Sequence, residues 1–135
     1  MFKKSKVYLV DTENVSWNGL KGINNIGKKD HIYLFVSKTL EFTKTSGKQM
    51  VNFMDFKNQV SIIKVKSGTG IKNYMDFQLA TFLGEQIASN PHKEYVIISK
   101  DRGFLSLRDY WKGQKVKVQQ YTTINDYCNK VKPVV

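Results

Sequence analysis

A chain of 135 residues with 41% hydrophobic and 13% aromatic content is long enough for one domain with a real core, and too rich in core formers to be disordered. Its single cysteine, Cys128, excludes an internal disulfide framework and a Cys-based zinc site, and no apolar run approaches the ~18–20 residues of a membrane span. Lys and Arg number 22 against 11 Asp and Glu; the formal net charge of +11 and pI near 9.7 favour a polyanionic partner, nucleic acid ahead of an anionic membrane, although lysines spread this evenly also serve solubility alone.

The first apolar run, residues 7–10, is short and β-rich. It comes after three lysines but is too short for the apolar region of a signal peptide, so a cytoplasmic protein is expected. Asp11-Thr12-Glu13-Asn14 comes directly after it. Residues 17–30, rich in Gly and Asn, read mostly as loop. A second strand is predicted over 32–36, a helix over 47–56 and a third strand over 61–65. The loop Ser67-Gly68-Thr69-Gly70-Ile71-Lys72-Asn73 then leads into the clearest helix, residues 74–88. Ala80, Leu83 and Ile87 share one helical face, Leu79 and Phe82 widen it, and Asn90-Pro91 ends it. A fourth strand is predicted over 95–99, then Lys100-Asp101-Arg102-Gly103 and a helix over about 103–112 that stops at Gly113. Residues 116–120 alternate and read as a half-exposed edge strand. Apolar runs without alternation suit strands covered on both faces. Strands alternating with helices predict an α/β fold with a mainly parallel central sheet, in one domain over 1–135.

In such sheets ligands bind where the carboxyl ends of the strands emerge. Asp11, Asp76 and Asp101 all come after strands, so three carboxylates from distant parts of the chain are aimed at one edge. Converging carboxylates repel unless protons or cations neutralise them, and an all-oxygen set selects a hard ion such as Mg²⁺ or Mn²⁺. Each acid also has a plainer role open to it. Asn73 and Asp76 can cap the long helix, Asp101 the next one, and Asp11 a turn. Glu13 points away from Asp11 if the chain stays extended, and a turn would change that. Glu41 and Asp109 are the acids to check for a fourth ligand. His31 and His92 read as surface residues, Cys128 has no partner for catalysis, and Gly68-Thr69-Gly70 lacks the spacing of a phosphate-binding fingerprint.

The segment Val7–Val15, Val-Tyr-Leu-Val-Asp-Thr-Glu-Asn-Val, resembles the opening of NYN domains in the PIN-like nuclease superfamily. Residues 70–80 resemble their second motif, an Asp opening a helix, and residues 96–104 their third, a strand running into Ser-x-Asp-x-x-Phe. The resemblance covers about 100 of the 135 residues. It implies a PIN-like, Rossmann-like three-layer α/β/α sandwich. It also implies a Mg²⁺- or Mn²⁺-dependent ribonuclease site with Asp11, Asp76 and Asp101 as metal ligands and Asn14 as a positioning residue. Many NYN domains carry two further acids at positions that are Phe82 and Gly103 in this chain. That departure keeps a second expectation open, a non-catalytic module that binds RNA or DNA. Lys72, Lys100 and Arg102 flank the acids and are expected to contact phosphates; Trp17 and Tyr74 are expected to stack on bases. A phosphatase or phospho-receiver on a similar sheet fits less well, because Asp11-Thr12-Glu13 is not Asp-x-Asp and Lys66-Ser67-Gly68 supplies no acid. PIN-like domains of this size often dimerise, which leaves a homodimer open.

Overall fold

The computed structural model describes residues 4–37, 55–65 and 73–135. Five strands form one sheet: β1 (Lys6–Asp11), β2 (His31–Val36), β3 (Val60–Lys64), β4 (Glu94–Ile98) and β5 (Val118–Tyr121). Their order is β3-β2-β1-β4-β5 and every pairing is parallel. The carboxyl ends of the strands therefore all emerge along one edge. Register sharpens this: Val10 of β1 lies between Leu34 of β2 and Ile98 of β4, so the segments leaving β1 and β4 start at one level.

The unbroken apolar runs exist because both faces of the sheet are covered. Along β1, Val7 and Leu9 enter one core while Tyr8 and Val10 enter the other. The first core lies under α2 (Tyr74–Ser89) and α3 (Leu105–Gly113). Met75, Leu79, Leu83 and Ile87 of α2, at spacings of four, form its buried stripe, each worth about 1.5–3 kcal/mol of transfer free energy when fully buried. The second core lies under α1 (Thr12–Val15), two 3-10 turns (Ser16–Leu20 and Ile23–Asn25) and α4 (Ile124–Asn129). The result is a three-layer α/β/α sandwich around a parallel sheet.

Several local expectations change. Residues 17–30, expected to be mostly loop, contain two 3-10 turns, and Trp17, Leu20 and Ile23 within them are buried in the second core. Their glycines permit close approach: a Cβ at Gly19 would sit 2.5 Å from Val15 Cγ2, and one at Gly22 (φ +95) would sit 2.5 Å from the Asn125 backbone. The last strand runs Val118–Tyr121 rather than 116–120, and although it is an edge strand it is mostly buried. The stripe of α2 runs through Leu79, with Ala80 only half-buried, so Asp76 stands beside the stripe rather than at its head. The helix expected from Gly103 starts with a 3-10 turn at Arg102–Phe104 and ends at Gly113 as expected, after which the chain passes through Lys115 (φ 62). Neither α1 nor α4 is expected from the sequence. Of the helix expected over 47–56, residues 47–54 lie outside the described residues.

Candidate active site

Asp11 ends β1 and Ser99 comes just after β4 on the adjacent strand; they are 3% and 0% exposed. Ser99 Oγ donates to Asp11 Oδ2 at 2.9 Å and accepts the Asp101 backbone N–H at 3.1 Å. One hydroxyl thus fixes the Asp11 carboxylate and the start of the next loop together. Asn14 Oδ1 accepts the Lys100 backbone N–H at 2.6 Å. Gln120 of β5, 2% exposed, donates through Nε2 to the carbonyls of both Ser99 and Asp101 at 2.8 Å. The β4 loop is therefore held from β1, from α1 and from β5.

The chain turns into α1 at once after Asp11, which returns Glu13 to the site instead of letting it point away. Glu13 accepts a hydrogen bond from Ser37 Oγ, and its charge raises the pKa of both Asp11 and Asp76. Asp76 is pushed up to about 6, first by burial, then by a hydrogen bond with the Asp101 carboxyl and its charge, then by Asp11 and Glu13. Asp11 is also raised, mainly by burial and further by Glu13 and Asp101, against the Ser99 hydrogen bond and the nearby Asn14 N–H. Four acids thus feel one another across one sheet edge, one more than the three expected. Asp109 is not among them; it is exposed and pairs with Arg108 at 3.0 Å. Glu41 lies outside the described residues.

The plainer roles account for only part of this. Asp11 precedes α1 but makes no capping bond to it, and Asn73 precedes α2 with φ 62 and no side-chain capping bond. Asp101 does cap, accepting the Gly103 N–H on Oδ1 at 2.9 Å. Asp11 Oδ1 is buried with no hydrogen-bond partner; the Asn14 N–H lies near without forming a bond. A buried, unpartnered carboxylate oxygen is costly unless a cation or proton meets it. Among the described residues no three of His, Cys, Asp or Glu form a ready-made metal cage. The donors nevertheless fit a hard cation in kind: all are oxygens, one is orphaned, and the Asp101 carboxyl lies close enough to Asp76 to raise its pKa, a repulsion that a cation would relieve.

Of the residues expected to touch nucleic acid, Lys100 and Arg102 are exposed beside Asp101, and Lys72 lies outside the described residues. Tyr74 is half-buried against the α2 core. Trp17 is a correction: it is 6% exposed within the second core, so its ring packs and offers no face to a base. Phe82 packs edge-on against Tyr33 and Phe35, at 4.8 and 5.4 Å between ring centroids, so the position where the NYN resemblance would expect an acid is part of an aromatic cluster. Gln120 is legible in the sequence only as a polar residue within a strand; nothing in its spacing ties it to the β4 loop.

The PIN domain family model matches residues 5–121, and the chain belongs to that family. PIN domains are generally nucleases that act on nucleic acids with divalent metals, and the five-stranded parallel sheet and its acid edge accord with that class. Comparison with curated proteins and with solved structures finds no match for this chain.

Proposed function

We propose that the chain is a metal-dependent endoribonuclease of the NYN type, hydrolysing RNA phosphodiester bonds at the carboxyl edge of its sheet. The observation that carries this is the buried, unpartnered Oδ1 of Asp11, which lies beside Asp101 and Glu13, whose charges raise the pKa values of both Asp11 and Asp76. Asp11, Asp101 and Asp76 would hold Mg²⁺ or Mn²⁺, with Glu13 adding charge to the set. Such an ion, when bound, supplies a water of lowered pKa and offsets the charge developing on the phosphoryl oxygens. Ser99 holds Asp11 in place by its hydroxyl, and Asn14 fixes the loop that carries Lys100. Lys100 and Arg102, with Lys72, are placed in sequence to grip phosphates on either side of the scissile bond, and Tyr74 to contact a base.

The test is pure protein with labelled single-stranded RNA or DNA in Mn²⁺, Mg²⁺ or EDTA, beside Asp11→Asn. Cutting of RNA that needs both metal and Asp11 supports the reading; cutting that persists in Asp11→Asn overturns the site. One observation favours a second reading, a module that binds nucleic acid without cutting it. Phe82 is locked into the Tyr33 and Phe35 cluster where many relatives place an acid. That reading predicts salt-sensitive binding with no product in either metal.

A further inference from the structure

At the opposite edge of the sheet, where β1 begins, lies a cleft of about 470 Å³. Lys4, Lys6, Lys28, Lys29 and Lys130 line it, against one carboxylate, Asp30. Asp30 is 7% exposed, and its two oxygens face backbone: Oδ1 accepts the Lys6 N–H at 2.9 Å and Oδ2 the Gly27 N–H at 2.7 Å. It ties the cleft's walls together and offsets one of the five lysine charges, which leaves a surplus of four. Gln59 Nε2 adds to this by donating to the carbonyls of Gly27 and Asp30, at 2.8 and 2.9 Å. The lysines therefore stand on a braced frame.

Lys130 shows that the cleft is more than a patch of solvated side chains. Its backbone is left-handed (φ 55), and its Nζ rests 3.5 Å over the Tyr127 ring. Burial lowers its pKa, with the charges of Lys117 and Lys6 acting the same way against Glu94. An anion in the cleft would relieve that repulsion. Lysine ammoniums, each a compact charge with three donors, suit phosphate groups met in varied orientations. The volume lies within the roughly 300–1,000 Å³ of ordinary ligand clefts, room for phosphates one or two at a time.

We propose that this cleft is a second, non-catalytic phosphate-binding site that holds the backbone of the same nucleic-acid strand the acid edge cuts. The proposal rests on the nuclease reading for the identity of the strand. The six residues of β1 separate the two edges by about 20 Å, at ~3.3 Å per residue. A stacked strand of four nucleotides covers only ~14 Å, at ~3.4 Å each, so it reaches one edge and not both.

The experiment measures binding of single-stranded oligoadenylates, whose bases stack, of about 4 and about 24 nucleotides, lengths set by that spacing. It uses the full chain carrying Asp11→Asn, so that nothing is cut. Lys28→Glu with Lys29→Glu is compared with Lys112→Glu with Lys115→Glu, an exposed pair of equal charge change at the end of α3. The cleft pair is expected to weaken the long RNA about tenfold and to reduce the salt slope by about 1.4, two contacts at ~0.7 each, while sparing the short RNA. Equal losses from both pairs, or equal losses on both RNAs, overturn the cleft while leaving the nuclease reading intact. If neither RNA binds, the nuclease reading fails, and inorganic pyrophosphate then decides the cleft. Saturable amide shifts at Lys28, Lys29 and Lys130 support a phosphate site, and their absence overturns it.

Discussion

Asp11 and Asp30 are both buried aspartates at strand ends of the same sheet, 3% and 7% exposed, and they do opposite things. Asp30, just before β2, has both oxygens engaged by backbone N–H groups. Asp11, at the end of β1, has one oxygen held by Ser99 and the other unpartnered. Burial is common to both, so burial alone does not mark a site. The difference between them is whether the fold completes the hydrogen bonding. Asp30 is a fastener between β1 and the Gly27 turn. Asp11 is a group whose surroundings leave its charge to be met by something else.

The largest effects should come from exchanging these roles. Asp11→Asn is expected to abolish detectable RNA cleavage, a loss of at least about 10²–10³-fold, the scale of losing one electrostatic contact to a developing charge. It should not lower the melting temperature at pH 7 without divalent metal, because it removes a charge that burial disfavours. Asp30→Ala should do the reverse. It strands the N–H groups of Lys6 and Gly27 at a cost of about 1–3 kcal/mol, read as a melting temperature lower by several degrees. Cleavage of a short RNA well below that temperature should be unchanged. Loss of stability in Asp11→Asn, or loss of cutting in fully folded Asp30→Ala, would break the contrast.

The same contrast shows what a sequence makes legible. Four apolar runs without alternation announce a covered parallel sheet, and that topology alone brings the acids after β1 and β4 to one edge. The stripe of α2 is displaced by one residue, from Ala80 to Leu79, because the bulkier side chain fills the space against the sheet. Trp17 is hidden because 3-10 turns have no helical period to expose a buried face, and glycines that usually mark open loops instead allow close packing. The return of Glu13 depends on a one-turn helix, too short to leave a pattern. Asp30 and Gln120 owe their roles to contacts 24 and about 20 residues away, with the start of β1 and the β4 loop, which no local spacing records.

A smaller effect tests the bracing of Asp11. Ser99→Ala removes the bond to Oδ2 and the acceptor of the Asp101 N–H. Cleavage should fall about 10–100-fold, as for groups that orient a metal-binding side chain. Raising the Mn²⁺ concentration should recover part of the loss, because the acid itself remains. Gln120→Leu, which loosens the carbonyls of Ser99 and Asp101, should act in the same direction and more weakly. If neither variant shifts the metal dependence, Ser99 and Gln120 serve stability alone.

The smallest effect is a slope in stability against pH. Asp76 is raised from 3.8 to about 6, so between those values the folded chain holds more of this proton than the unfolded chain. Stability therefore falls as pH rises through roughly 4 to 6, with Asp11 acting in the same direction, and this contribution levels off above the folded pKa. Asp76→Asn should flatten that part of the profile, measured as melting temperature at low ionic strength in EDTA. Adding Mg²⁺ or Mn²⁺ at pH 7 should raise the melting temperature of the parent chain by mass action, and less in Asp11→Asn. The corresponding change at the other edge, Asp30→Asn, should leave the metal response as it is. A metal response that survives Asp11→Asn in full would place the cation elsewhere and dissolve the distinction between the two aspartates.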